Sequence, residues 1–284
     1  MTSGYTPAPL PPHGSIHDWI SSAPLRDLVA EYGARPPSEA PAGELLDWLA
    51  DFSAAHWDFR RIGHVERHQV TAPAFTPARR ALIERVATAL GFVTAVPPRE
   101  DAYDHLLVLG GLARTCLQRA EFAGRLITER GLRVPEVTGL GSLRPLGPEE
   151  TATLPAGAEH EVDALDAAFR AHLDGVRFRA LAAPSSEPGV RRANTADTYH
   201  FWAERARLGV GDRVLVVTSP IFVPFQHCDA LRTLAVPYRC TIETVGLDAA
   251  RATLPTPPEA TGPDRYLQEI RSAILSLRRL FAAL

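Results

Sequence analysis

The chain contains no lysine, so all 30 of its basic residues are arginine. That absence excludes chemistries built on a side-chain amine: a Schiff base, a lysine-anchored pyridoxal phosphate (PLP), a P-loop lysine or a kinase-type lysine. Any anion held here must be met by arginine or by backbone N–H groups. Cysteine is scarce as well. Cys116, Cys228 and Cys240 are odd in number, far apart and without metal-ligand spacing, and read as reduced, buried thiols of a cytosolic protein. No charge of one sign dominates: the formal net charge is −3, which gives no drive toward nucleic acid or an anionic membrane. No apolar run approaches the ~20 residues needed to span a bilayer. The first residues, Met1 to Pro9, lack the basic-then-apolar order of a signal peptide. The expected partner is a small molecule, and neither nucleic acid nor membrane is expected.

What the chain does have is a strand, a glycine turn and a helix in the segment His105 to Ala120. Leu106 to Leu109 is continuously apolar, as in a strand covered on both faces. Gly110 and Gly111 allow close backbone approach. From Leu112 the apolar residues Leu112, Ala113, Cys116, Leu117, Ala120, Ala123 and Ile127 form a helical stripe. The first-turn N–H groups of that helix are expected to face an anion over the glycines, with Arg114 one turn in as a bidentate clamp.

The 284 residues divide into a helical segment, 1–100, and an α/β domain, 101–284. Proline-rich residues 1–14 are expected to be disordered or draped on the surface. Ser15 and Asp18 read as a capping box, Glu44 to Trp57 as a helix, and Thr76-Pro77 as the start of a helix to Leu90. Later strands are expected at Val134–Thr138, Val176–Ala182, Arg213–Thr218 and Tyr238–Val245. Helices are expected at Glu159–Leu173, Asn194–Leu208, Pro224–Leu234 and Asp264–Leu284. Alternating strands and helices imply a Rossmann-like three-layer αβα sandwich with a mainly parallel sheet, its ligand at the carboxyl ends of the strands.

Each polar cluster carries a structural and a chemical reading. Asn194-Thr195-Ala-Asp197-Thr198 fits a helix cap, and equally a ligand contact made by Asn194, Thr195 and Thr198. Thr218 and Ser219 close a central strand. Ser219 is a plain cap or, with His227 or His200 as base, a nucleophile, although no nucleophile-elbow pattern supports it. Glu159, Glu161 and Asp163 open a helix and stabilise its dipole; Glu159 or Glu161 is the candidate general base, and Asp197 a second acid. No metal-ligand spacing appears in this cluster. Phe222 to Asp229 reads as core packing, or as an aromatic wall with Gln226 and His227 as hydrogen-bonding groups. The stretch His56 to His68 reads as a solvated helix face, or as a lid lending Arg60, Arg61 or Arg67 to an anion.

Residues 103–246 resemble the bacterial YdcF/SanA/ElyC-like family. The matching elements are Val108-Leu-Gly110-Gly111, then Arg119-Ala120, an acidic helix start at Glu159 or Glu161, Asn194-Thr-Ala-Asp-Thr198, and Val217-Thr218-Ser219. The resemblance implies a Rossmann-like domain that binds a nucleotide-like or phosphorylated ligand, or S-adenosylmethionine. It also implies the soluble branch, since SanA and ElyC types carry a membrane anchor. The family's later histidine and arginine fall at Phe222 and Phe225 here.

The expected function is a cytosolic hydrolase or group transferase acting on a nucleotide-like, phosphorylated or otherwise anionic small molecule, as a step of specialised metabolism. Its ligand set would be Gly110, Gly111, Arg114, Arg119, Asn194, Thr195, Thr198, Thr218, Gln226 and His227. Glu161, Asp197 and Ser219 would supply the chemistry. A nucleotide or S-adenosylmethionine sensor without turnover remains open, as does an S-adenosylmethionine-dependent transferase. The latter lacks an acid closing the second strand to read a ribose. The N-terminal helices either wall the cleft or make a homodimer contact, and the sequence leaves both open.

Overall fold

Five short apolar runs become the strands of one parallel sheet. The computed structural model describes residues 5–6, 8–11, 13–59 and 74–284. Four helices come first: α1 (Ile16–Ile20), α2 (Ala23–Ala30), α3 (Ala42–His56) and α4 (Pro77–Ala89). Then follow β1 (His105–Leu109), α5 (Ala113–Thr128), β2 (Val137–Ser142), α6 (Pro148–Thr151), α7 (Glu161–His172) and β3 (Phe178–Ala183). The chain continues with α8 (Thr195–Ala203), β4 (Arg213–Thr218), α9 (Val223–Ala230), α10 (Val236–Tyr238), β5 (Thr241–Gly246) and α11 (Pro263–Phe281).

These elements make two units. One holds residues 95–220 and 229–255, and the other 1–94, 221–228 and 256–284. The terminal helix α11, which the sequence reading allots to the α/β domain, therefore groups with the N-terminal helices.

In the α/β unit the strand order is β3-β2-β1-β4-β5, every pair parallel. Side chains alternate across the sheet, as the two-residue period of a strand requires. Leu106 and Val108 join a core with Cys116, Ala120, Leu165 and Phe169 of α5 and α7. Leu107 and Leu109 join a second core with Tyr199 and Trp202 of α8 and with Ala230 and Leu234. Helices thus cover both faces, and the fold is the expected αβα sandwich. Each fully buried Leu or Phe contributes about 1.5–3 kcal/mol.

Two boundaries differ from expectation for identifiable reasons. The second strand, expected at Val134–Thr138, begins at Val137 and runs on through Gly139 and Gly141 to Ser142. A methyl on Gly139 would stand 2.7 Å from the Phe169 ring, and one on Gly141 3.0 Å from Leu165 Cδ1. These glycines let α7 press onto the sheet. The helix predicted at Pro224–Leu234 continues through a π-helical turn, Leu231–Ala235, into α10, so the last strand starts later, at Thr241.

In the helical unit α11 packs on α3 and α4. Its apolar face buries Leu267, Ile270, Ala273, Ile274 and Leu277, and Arg278 pairs with Asp47 at 2.6 Å. Ser15 Oγ accepts from the Asp18 N–H, one half of the expected capping box, and Thr76 Oγ1 accepts from the Arg79 N–H as expected. The described part of the first fourteen residues is tied down within this unit. The Tyr5 hydroxyl donates to Asp27 Oδ2 (2.8 Å), and the Ala8 N–H to the Ala89 carbonyl (3.1 Å). Arg60, Arg61 and Arg67 of the proposed lid lie outside the described residues.

Candidate active site

The strand order reverses between β1 and β4, and in open α/β sheets the crevice at such a switch point is where ligands bind. Gly110 and Gly111 follow β1 there, and Thr218 and Ser219 end β4. Arg119 joins them. This arginine is 1% exposed, and its Nη1 donates to the carbonyls of Leu109 (2.9 Å) and Gly110. Its Nε and Nη2 donate to Ser219 Oγ (3.2 and 3.1 Å). Burial pushes the guanidinium down to about 10.

Glu161, the first residue of α7, lies over the glycine turn. Its Oε2 accepts the Ser142 hydroxyl at 2.5 Å. Its Oε1 occupies space that a side chain at Gly110 would fill: a methyl there would stand 2.4 Å from it. Burial raises the carboxyl above its ordinary value, while Ser142, Arg144 and Arg119 pull the other way. A buried carboxyl raised in this manner at the carboxyl edge of a sheet has the character of a general acid or base. Of the two acids the sequence offered, Glu159 is exposed and carries no such setting. Asp163 serves as the cap of α7, accepting the N–H groups of Glu159 (2.9 Å) and His160 (2.8 Å).

Arg144 and Glu150, neither of them foreseen, complete the rim. Arg144 grips Glu150 with both Nη groups (2.8 and 2.9 Å) and donates to the Gly111 carbonyl (2.8 Å). Glu150 Oε1 accepts the Ala113 N–H at the start of α5 (2.9 Å). An internal carboxylate thus takes one of the first-turn N–H groups that the sequence assigned to a ligand. Burial alone would raise Glu150, but Arg144 and the N–H groups of Gly147 and Ala113 outweigh it and bring it down to about 2. Leu112 and Leu143 beside these loops are exposed.

The remaining sequence candidates fall in several places. Arg114, the expected anion clamp, is exposed and donates to the Pro255 carbonyl at 3.2 Å. Asn194 and Asp197 form a reciprocal capping box on α8, with N–H donors at 3.0 and 2.9 Å. Asp197 also pairs with Arg191 at 2.5 Å; burial opposes ionisation, yet Arg191 and the Asn194 N–H hold it down at about 2. Thr198 Oγ1 donates to the Thr195 carbonyl at 2.8 Å, and Thr218 is fully buried. Ser219 Oγ accepts from Arg119, and among the described residues no histidine is hydrogen-bonded to it. Gln226 and His227 belong to the helical unit, where the buried His227 Nε2 donates to the Pro11 carbonyl at 2.7 Å. Burial lowers that imidazole.

Sequence reasoning also missed Tyr199. It is fully buried, its phenol is pushed far up by burial and by Asp229, and Arg119 opposes that rise. Only its place on the apolar face of α8 was legible. All three cysteines are buried, and Cys116 beside the glycine turn is pushed up to about 12 by burial. Among the described residues no group of three His, Cys, Asp or Glu side chains is placed to hold a metal ion. None of their helices is long and apolar enough to cross a membrane.

Residues 8–91 match the family model described as the Rv3785 N-terminal domain. The chain is 30% identical to the uncharacterized proteins Mb3814 of Mycobacterium bovis and MT3893 and Rv3785 of Mycobacterium tuberculosis, across 93% of its own length and 88% of theirs. No solved structure matches it. With nearly its whole length aligned to these mycobacterial proteins, the chain belongs to the Rv3785 family.

Proposed function

We propose that this protein is an enzyme, a hydrolase or group transferase, acting on a phosphorylated, nucleotide-like or otherwise anionic small molecule. The observation that carries the reading is the placement of Glu161. A buried carboxyl with a raised proton affinity sits over a glycine turn at the switch point, within the electrostatic reach of Arg119 and Arg144. Positive charge there suits an anionic ligand, and the carboxyl, its proton affinity raised by burial, suits proton transfer. The likeness of residues 103–246 to the YdcF/SanA/ElyC-like family supports the same ligand class. Three buried cysteines, odd in number, suit a reducing compartment, which favours the cytosol. The end of β2 carries Ser142 where dinucleotide-binding folds carry an acid for the ribose, which argues against a nicotinamide or S-adenosylmethionine cofactor read in that manner.

The test is a thermal-shift panel of nucleotides, sugar phosphates and S-adenosylmethionine, followed by turnover assays on any hit. A ligand at 100-fold excess over its Kd adds about 2.7 kcal/mol to stability, a visible shift. Glu161→Gln is expected to keep the shift and lose turnover. A well-folded protein that responds to nothing in the panel would sink the reading.

A second reading, a sensor that binds without turnover, is favoured by one observation: Glu150 already occupies the Ala113 N–H at the start of α5. Binding with equal affinity by wild type and Glu161→Gln, and no turnover by either, would favour it.

A further inference from the structure

Ser219 and Ser142 both stand at the carboxyl edge of the sheet, and their hydroxyls have different partners. Ser219 Oγ accepts two N–H groups from Arg119. Ser142 Oγ instead donates to Glu161 Oε2 at 2.5 Å and accepts the Arg144 N–H at 3.2 Å. We propose that Ser142 is a nucleophile that accepts a phosphoryl group, with Glu161 as its base. This rests on the reading of Glu161 as a proton carrier given above.

Three features support the pair. First, the hydroxyl is within hydrogen-bond reach of the carboxylate, as a nucleophile and base require. Second, the carboxylate is held in place. Its other oxygen fills the space left by the missing side chain of Gly110, and its backbone N–H donates to the Arg144 carbonyl at 2.9 Å. Third, Arg119 and Arg144 both act on Glu161 electrostatically, so positive charge lies close to the pair, on the side an anionic phosphoryl group favours. Ser142 itself is 5% exposed, and the next residue, Leu143, is 59% exposed.

The chemistry balances without any further reagent than water. Ser142 Oγ forms a bond to phosphorus as the bond to the leaving oxygen breaks. Glu161 takes the serine proton and delivers it to that oxygen. In the second half, water attacks phosphorus, Glu161 accepts the water proton, and Ser142 Oγ departs and recovers a proton from Glu161. An acceptor alcohol in place of water converts hydrolysis into transfer.

The experiment is labelling of the full chain with a small fluorophosphonate, read by intact mass and peptide mapping. A phosphonyl adduct on Ser142 is expected in the wild type. It should be absent from Ser142→Ala and slowed roughly a hundred-fold in Glu161→Gln, the scale of a lost general base. Thermal melts establish that both variants fold. Should Ser142→Ala not fold, Ser142→Cys replaces it, with iodoacetamide alkylation of the new thiol expected to slow when Glu161→Gln is added. No wild-type adduct, an adduct on Ser219, or equal rates in wild type and Glu161→Gln would overturn the assignment. Ligand-induced thermal shifts without an adduct would remove the nucleophile alone. An adduct with no thermal shift across the panel would keep Ser142 and remove the ligand reading.

Discussion

Glu161 and Gly110 share one space: the carboxylate oxygen of the first stands 2.4 Å from where a β-carbon of the second would be. The Leu140 carbonyl oxygen, 3.0 Å from the same point, closes the other side. Gly110→Ala is therefore expected to expel the carboxylate from its seat at a cost of about 1–3 kcal/mol. Ligand response and turnover should fall together, with the circular dichroism spectrum unchanged. A fully active Gly110→Ala variant would mean that the carboxylate does not need that seat.

Because Glu161 is raised in the folded protein, its sign in the pH dependence is fixed. The native state binds this proton more tightly than the unfolded chain, so the group costs stability above its raised value and ceases to do so as pH falls toward the ordinary carboxylate range. The stability difference of Glu161→Gln over wild type should be most favourable at neutral pH and shrink on acidification. Chemical denaturation at several pH values measures it, and a difference that grows toward acid would contradict the assignment.

Asp197 and Glu150 act in the opposite sense, both held at about 2. Their contribution is present above the ordinary carboxylate range and is lost as pH falls through it toward about 2. Asp197→Ala should cost about 1–2 kcal/mol at neutral pH through the lost cap. Acid titration of that variant, followed by circular dichroism, should show a shallower loss than the wild type.

Arg119→Lys is not expected to be conservative. One ammonium cannot reproduce a fork that reaches Leu109, Gly110 and Ser219 together. Buried carbonyls left short of a charged donor cost about 1.5–3 kcal/mol, visible as a lower melting temperature. An unchanged melt would show that the guanidinium network contributes nothing to stability.

The cysteines give a simple check of burial. Cys116, pushed up to about 12 and fully buried, and its two buried companions should resist a thiol-disulfide reagent at pH about 8 in the native protein. All three should react after unfolding in guanidinium.

The β1–Gly110–Gly111–α5 unit, the cap at Asn194 and the strand ending at Thr218 were legible because each depends on local chemistry: a run of apolar residues, a turn, a capping side chain. The continuation of β2 through Gly139 and Gly141 was not legible, for the converse reason. Their meaning lies in Phe169 and Leu165 on a helix some 25 residues away in sequence, and turn propensity cannot report that contact. Glu161 was a candidate from its place at a helix start, but nothing in the sequence paired it with Ser142. Arg119 was found through a resemblance, while Arg114 was favoured on helical spacing and proved to be tied to Pro255. Arg144 and Glu150 sit in a segment with no periodicity, where nothing in the sequence marks one charged residue over the next.

The grouping of α11 with α3 and α4 bears on how the chain folds during synthesis. The parallel sheet has its last strand by Gly246, and the loop to residue 255 completes that unit. The N-terminal helices are made first, yet the apolar face that covers them does not exist until Phe281 has been added. A nascent chain would thus hold its earliest helices unfinished while the later sheet forms, an inversion of the usual order in which N-terminal parts settle first. Truncation before Pro263 should therefore leave the first 94 residues, made earliest, without a stable fold.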